Sequence, residues 1–288
     1  MVLQILFDSL LLAGLLAVGA LGFTLVWGVL NVLNLMYPAF IMFGAYISYG
    51  LWLAGIDFLV TIPITIAVMF CIGWCLQRYL LDFVMHGPHT SSITLTYGLN
   101  LIAVGLALYL FTAVDRSILV PGYLDGFIEV ANVKLPYVRI VTIVIALSLT
   151  AAAWWFFDRT EYGAAIRATR LDPDAAQLVG IRVRTIYNLT TALSASLAGA
   201  MGALLALVFS ATPTVGDHFF IQIIIVTVLG GLGSIVGPLV GALVVGVATS
   251  ITTHMYGSTY GILVGTVIVL AVLVVRPTGL LGKRFYEA

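Results

Sequence analysis

The side chains able to do covalent or metal chemistry are few in this chain and poorly spaced for it. The 4 histidines fall as His86 and His89 around Gly87-Pro88, and as the distant His218 and His254. A zinc site takes about four ligands, and these positions supply no such set. They read as loop and interfacial residues, with Asp217-His218 an interfacial polar pair. Cys71 and Cys75 stand one helical turn apart inside an apolar run and read as small packed side chains. A redox pair or metal site would need further ligands nearby, and none stand there. Gly230 to Ser234 is glycine-rich but lacks the lysine of a phosphate loop. It also lies in an apolar run, whereas cradling phosphates needs exposed N–H groups. No pair of carboxylates sits inside an apolar run, which argues against a proton-coupled carrier. The residues therefore point to no enzyme, and to no cofactor or metal held by the chain itself.

What remains is a set of uncharged polar residues placed in or beside apolar sequence: Asn31, Asn34, Tyr37, Tyr97, Asn100, Thr227 and Ser234. A polar residue in such a run faces its neighbours and makes interhelical hydrogen bonds. Several of these flank two interruptions. The first runs from Gly28 to Pro38. The second carries Gly230, Gly231, Gly233, Gly237 and Pro238. At an offset of 200 residues, Asn34, Leu35 and Pro38 align with Ser234, Ile235 and Pro238. Paired broken segments in two halves of a chain are a pointer to a transporter's central site. The seven polar residues are the candidates for a substrate pathway, and their lack of charge suits a small or neutral solute, or recognition through backbone groups.

The elements that must position them are set by hydropathy. The chain is 62% hydrophobic and 8% charged, against about a quarter charged in a soluble domain. The formal net charge is zero, with 12 basic and 12 acidic residues, so there is no basic field for nucleic acid. Apolar runs span 9–30, 39–55, 58–76, 93–114, 136–157, 185–210, 219–253 and 258–275, and a crossing takes roughly 20 residues. In lipid every backbone group must be satisfied internally, and the chain holds too few period-two segments for a barrel, so these runs are helices. The expected fold is an all-α integral membrane protein of a single domain, residues 1–288, with about eight to ten transmembrane helices or half-helices, a pseudo-repeat of two halves, and broken helices at mid-depth. The segment Met1 to Asp8 lacks the basic region of a cleavable signal, so the first run reads as an anchor that stays.

Arginine places the loops. Arg159, Arg167, Arg170, Arg182 and Arg184 lie in one loop, and Arg276, Lys283 and Arg284 in the C-terminal segment. Both belong on the cytoplasmic side. The acidic loop from Asp115 to Lys134 belongs outside. With residues 184 and 276 on one side, the run at 219–253 must cross either not at all or twice. The glycine break then makes it two half-helices or two short spans. Within the loop 158–184, Asp172 is a good N-cap, Pro173 suits the first helical position, Asp174 favours the helix dipole and Gly180 suits the C′ position. These bound a helix of under two turns, preceded by a second piece around Tyr162 to Thr169. A helix that short is unstable alone and needs a partner.

Five pieces, in order, resemble the membrane permeases of ABC importers for branched-chain amino acids and related solutes: Gly28 to Gly44, Arg159 to Ala168, Asp174 to Ile181, Val228 to Ser234, and Arg276 to Leu280. The resemblance covers nearly the whole chain. In such importers an acidic residue, two alanines and a following glycine mark the coupling helix, and Asp174, Ala175, Ala176 and Gly180 are similar in type and spacing. With Arg159, Arg167, Arg170 and Asp172 they are the expected ATPase-coupling residues. The resemblance implies ATP and magnesium on two separate ATPase subunits, a second homologous permease, an extracytoplasmic solute-binding protein, and the bacterial inner membrane. Family members commonly carry histidine and glycine where this chain has Tyr37 and Pro38. The solute stays open among branched-chain or other amino acids, amides such as urea, and small organic acids. An ion-coupled carrier working alone is the other reading.

Overall fold

A computed structural model describes residues 2–30, 32–84, 89–130, 133–231, 234, 236–257, 260, 263–264, 267–268, 271–272 and 279–281. Helix α1, Val2–Leu30, is followed by α2, Tyr37–Leu53, and α3, Phe58–Leu76. Helix α3 continues through a π-helical turn, Gln77–Leu81, into the short α4, Asp82–Val84, and α5 covers His89–Phe111. A two-stranded ribbon, β1 Phe127–Val130 and β2 Val133–Pro136, leads into α6, Tyr137–Arg159. Then come α7, Glu161–Leu171, α8, Pro173–Leu178, α9, Val183–Val208, α10, Val215–Gly230, and α11, Gly237–Tyr256. Among the described residues, six helical stretches are long and apolar enough to cross a membrane, and the all-helical membrane class expected from hydropathy is the one observed. The expected run at 258–275 lies largely outside the described residues, as do Arg276, Lys283 and Arg284; the residues described within that run are helical.

Helices α1 and α9 form the centre. Their apolar windows are 89% and 83% buried, against 22–39% for the other four spans. Helix α9 earns that place by small side chains. A Cβ on Gly202 would stand 2.0 Å from the Ile41 carbonyl oxygen, and one on Gly44 2.2 Å from that of Gly199. On the next face, a Cβ on Gly73 would meet Ala195 at 2.6 Å. Lipid tails are as apolar as leucine, so close backbone approach of this kind, rather than hydrophobicity, brings helices together in a bilayer.

Contacts fix the chain directions. Gly246 of α11 lies against Ala13 and His254 by Asp8, and Gly19 and Gly22 of α1 lie against Met201 and Leu197 of α9, so α1 is antiparallel to both. Ile223 lies by Gly19, and Thr227 by Thr24, so α10 is parallel to α1. The bundle thus has two distinct ends. One holds Asp8, Arg139, His254 and the β ribbon. The other holds the end of α1, the α7–α8 pair and the Arg184–Asp82 ion pair.

The interrupted run at 219–253 is two antiparallel helices. Gly230 packs on Gly237, and Gly241 on the Val226 carbonyl. The sequence leaves two half-helices or two short spans open here; in the structure α10, at 16 residues shorter than the six crossing-length stretches, folds back on α11. The ribbon was not expected from a purely helical reading. It forms where the sequence alternates for a few residues, with Glu129 opposite Lys134 and the Lys134 ammonium 4.7 Å from the Phe127 ring. The loop before it is tied down at two points. Arg116 and Ala211 exchange backbone hydrogen bonds at 3.1 and 2.7 Å, and the Tyr123 hydroxyl donates to the Asp57 carboxylate at 2.7 Å.

Candidate functional site

The two breaks are alike in register. Helix α1 ends at Leu30 and α2 starts at Tyr37; α10 ends at Gly230 and α11 starts at Gly237. Pro38 and Pro238 occupy the first turn of the following helix, where a missing N–H costs nothing. Asn34 and Ser234 play the same local part. The Asn34 Oδ1 accepts from the Met36 N–H at 2.9 Å, and the Ser234 Oγ from the Gly237 N–H at 3.0 Å. Each side chain satisfies a donor that the helix start would otherwise leave unpaired. The breaks differ in how the chain leaves them. Helices α10 and α11 pack on each other, whereas α2 turns away from α1 to pack on α9, α3 and α10.

Tyr37 shows how far the chain climbs back. Its hydroxyl donates to the Gly19 carbonyl at 2.6 Å. Gly19 is eleven residues before the end of α1, roughly 16 Å along the axis. Helix α2 therefore begins inside the bundle. The Tyr37 ring is fully buried, edge-on to Phe23 at 5.4 Å, and tilted to Phe220 at 6.2 Å. Asn34 is also buried, and its Nδ2 has no partner among the described residues. It borders a void of about 10 Å³ with Ser92 and Thr96, space for about one water. Thr227 is buried beside Thr24, their hydroxyls 3.4 Å apart. The structure thus gathers Tyr37 and Thr227 around the middle of α1, with Asn34 below them.

Other candidates fall elsewhere. Asn100 is buried on α5, its Oδ1 without a partner among the described residues. Tyr97 is 51% exposed. The buried stripe of α5 is Ser92, Thr96, Asn100, Ala103 and Ala107, and Tyr97 stands about 100° off it. Gly28, expected at the first break, lies inside α1 and faces the Arg170 side chain, 3.6 Å from its would-be Cβ. The chain turns at Gly231, whose φ of +99° favours glycine. Asn31, Gly233 and His86 lie outside the described residues. Cys71 and Cys75 are unpaired and face outward from α3 rather than into the core. Among the described residues no group of three histidine, cysteine or carboxylate side chains could hold a metal ion.

The loop between α6 and α9 is built for rigidity at small size. Thr160 caps α7, accepting from the Gly163 N–H at 3.0 Å. Gly163 makes the sharp corner possible, since a Cβ there would stand 2.3 Å from the Phe157 carbonyl oxygen. Asp172 caps α8, accepting from Asp174 N at 2.9 Å and Ala175 N at 3.0 Å. Gly180 closes α8 with φ +87° and empty space where a side chain would be. Ala176 is buried, while Asp174 and Ala175 face out. Leu171, Leu178 and Val179 are 83%, 89% and 77% exposed, an unusual display of apolar side chains on an otherwise polar loop. Arg159 is exposed beside Asp158 at 3.6 Å. Arg167 and Arg170 are half-buried, and burial lowers the Arg170 pKa from its ordinary value. A cavity of about 880 Å³ separates α8 from the bundle, bounded by Asp174, Gln177, Arg184 and Asp82. Two contacts of this end escaped the sequence reading. The Thr191 hydroxyl donates to the Gln77 Oε1 at 2.7 Å, and Arg184 pairs with Asp82. Both hold the π-helical turn, and neither shows as a motif, because each joins residues about a hundred positions apart.

Residues 5–273 match the family model described as branched-chain amino acid transport system / permease component. The high-affinity branched-chain amino acid transport system permease protein LivH of Escherichia coli K12 is 28% identical, over 99% of this chain and 97% of that protein. The permease protein BraD of Pseudomonas aeruginosa is 27% identical over the same shares. The fructose import permease protein FrcC of Rhizobium meliloti is 36% identical over 33% of this chain and 28% of its own length. No solved structure matches.

Proposed function

We propose, from the premise that this chain belongs to the family of branched-chain amino acid transport system permease components, that it is the membrane-spanning subunit of an ATP-driven importer of a small solute. The relatives' names favour a branched-chain amino acid as that solute. The observation that carries the reading is α8: six residues, capped at both ends, holding Leu178 and Val179 out from the bundle. Such a helix gains its stability from what it docks on, and the docking partner is an ATPase on the cytoplasmic side, where the basic loop belongs. Two ATPases, a second homologous permease in the same inner membrane and an extracytoplasmic binding protein complete the assembly.

The loop can move the bundle because it is tied to it at two points. Arg170 lies on Gly28 at the end of α1, and Arg184 grips Asp82 below the π-helical turn of α3. A push on α8 is delivered to the end of α1 and to the joint of α3, on either side of the break at 31–36. Alternating access then follows as one half rocks on the other about the break residues Asn34, Tyr37, Thr227 and Ser234. ATP hydrolysis belongs to the partner subunits, and this chain supplies no catalytic group.

The test is reconstitution. The chain with its second permease, ATPases and binding protein in liposomes should accumulate L-leucine only with ATP. Leu178→Asp should uncouple ATPase association by about tenfold or more, since it places a charge in an apolar contact. Uptake by the purified chain alone, driven by an ion gradient, would show a carrier and refute this reading.

A further inference from the structure

At the end of the bundle opposite α8, a cavity of about 590 Å³ opens between α1, α10 and α11. Its size is within the range of small-molecule sites. Its polar wall is made by Asp8, Arg139, Gln222, Thr249 and His254, and its apolar wall includes Leu11, Leu12 and Phe219. Asp8 is central. It pairs with Arg139 of α6 and lies 3.8 Å from the His254 Nε2 of α11. Gln222 is 6% exposed, and its Oε1 has no hydrogen-bond partner among the described residues. A buried amide that is left unpaired costs free energy unless something completes it.

We propose that this cavity is the receiving subsite for the transported solute, held within one permease chain, and that Asp8, Arg139 and Gln222 are the groups that receive the charged end of the amino acid proposed above. The proposal rests on the importer reading and deepens it. The chemistry follows from charge. Arg139 and Asp8 form a neutral pair on the cavity wall, their side chains 43% and 22% exposed. A zwitterion can exchange with it, carboxylate on Arg139 and ammonium on Asp8, without adding net charge. A simple anion or cation would replace that contact on one partner only. Gln222 offers an amide on the same cavity wall, and Leu11, Leu12 and Phe219 take the apolar chain. Because Asp8, Arg139 and His254 sit on three different helices, exchange of partners also loosens the outer end of the bundle.

The experiment measures equilibrium binding of radiolabelled L-leucine to the assembly of permease pair and ATPases in nanodiscs, without binding protein. The competitors are 4-methyl-2-oxopentanoate, which lacks the amine, isoamylamine, which lacks the carboxylate, and urea. Leucine should bind, and the two single-charge analogues should compete at least about tenfold more weakly, the worth of one charge-assisted hydrogen bond. Gln222→Leu should weaken leucine binding by about tenfold while the assembly remains intact. Arg139→Gln should weaken leucine but leave isoamylamine competition within twofold, a discrimination that a merely structural role would not produce. Leucine binding unchanged in both variants would overturn the site while leaving the importer intact. ATP-driven uptake of urea with no leucine binding would overturn the zwitterion class alone. Absence of ATP-driven uptake for every probe would remove the importer reading and this subsite with it.

Discussion

At the scale of the residue, small side chains and single hydroxyls carry more of this structure than large apolar ones. Gly44 and Gly202 let α2 and α9 touch backbone to backbone. Gly44→Ala forces a methyl onto the Gly199 carbonyl, with no flexible side chain to yield. A loss of about 1–3 kcal/mol is expected, read as a lower melting temperature of the purified protein. Tyr37→Phe is milder. The Gly19 carbonyl keeps its own helical hydrogen bond, so only the extra donor is lost, about 1 kcal/mol; the expected signature is faster hydrogen exchange at the start of α2 with the fold retained. Tyr123 gives a pH prediction. Partial burial, and then the hydrogen bond and charge of Asp57, push its phenol up to about 12. A raised pKa means that the stabilisation is present below the ordinary tyrosine value of about 10 and is lost only as pH rises through about 12. Hydrogen exchange in the Tyr123 loop should therefore keep the same protection from pH 5 to 9, and lose it in Tyr123→Phe at any pH.

At the scale of the element, the short helix α8 depends on its ends. Asp172 satisfies two N–H groups of the first turn, and Asp172→Ala should cost about 1 kcal/mol. For a six-residue helix that is enough to fray it, so co-purification with the ATPases should fall although the bundle stays folded. Gly180→Val strains a left-handed position rather than filling space and should act in the same direction. The π-helical turn at Gln77–Leu81 is the other element on which the proposed coupling acts, and π-turns are frequent at functional places. Asp82→Asn removes the charge that Arg184 grips. It should reduce ATP-driven uptake more than it reduces ATPase association, because the contact lies beyond the docking surface.

At the scale of the whole molecule, the directions of the helices make one further prediction. The end with Asp8, Arg139 and the β ribbon and the end with α8 are opposite faces of one bundle. In sealed, right-side-out vesicles a cysteine placed at Tyr123 should react with an impermeant maleimide, and one placed at Leu178 should not until the membrane is opened. The reverse pattern would invert the assignment of the basic loop to the cytoplasm. The wild-type Cys71 and Cys75 face outward from α3 and should be replaced by serine first.

Hydropathy alone determined the class of this protein, because a chain so poor in charge can only be solvated by lipid, lipid permits only self-satisfied helices or closed barrels, and long apolar runs with little period-two alternation make helices. Local chemistry also determined the caps of α8, since Asp172, Pro173 and Gly180 act within a turn of their own position. The 200-residue spacing of the breaks was legible in Asn34, Pro38, Ser234 and Pro238 for the same reason: a helix start is written in adjacent residues. Which face each helix turns inward was not legible. Periodicity is nearly silent when a helix is apolar all round, so Tyr97 and Asn100 looked alike until α5 was seen to pack along one stripe. Tertiary structure alone decided that Tyr37 reaches Gly19, that Arg184 meets Asp82, and that Asp8, Arg139 and His254 converge. Each of these contacts joins distant parts of the chain and depends on helix direction and depth, which no local pattern encodes.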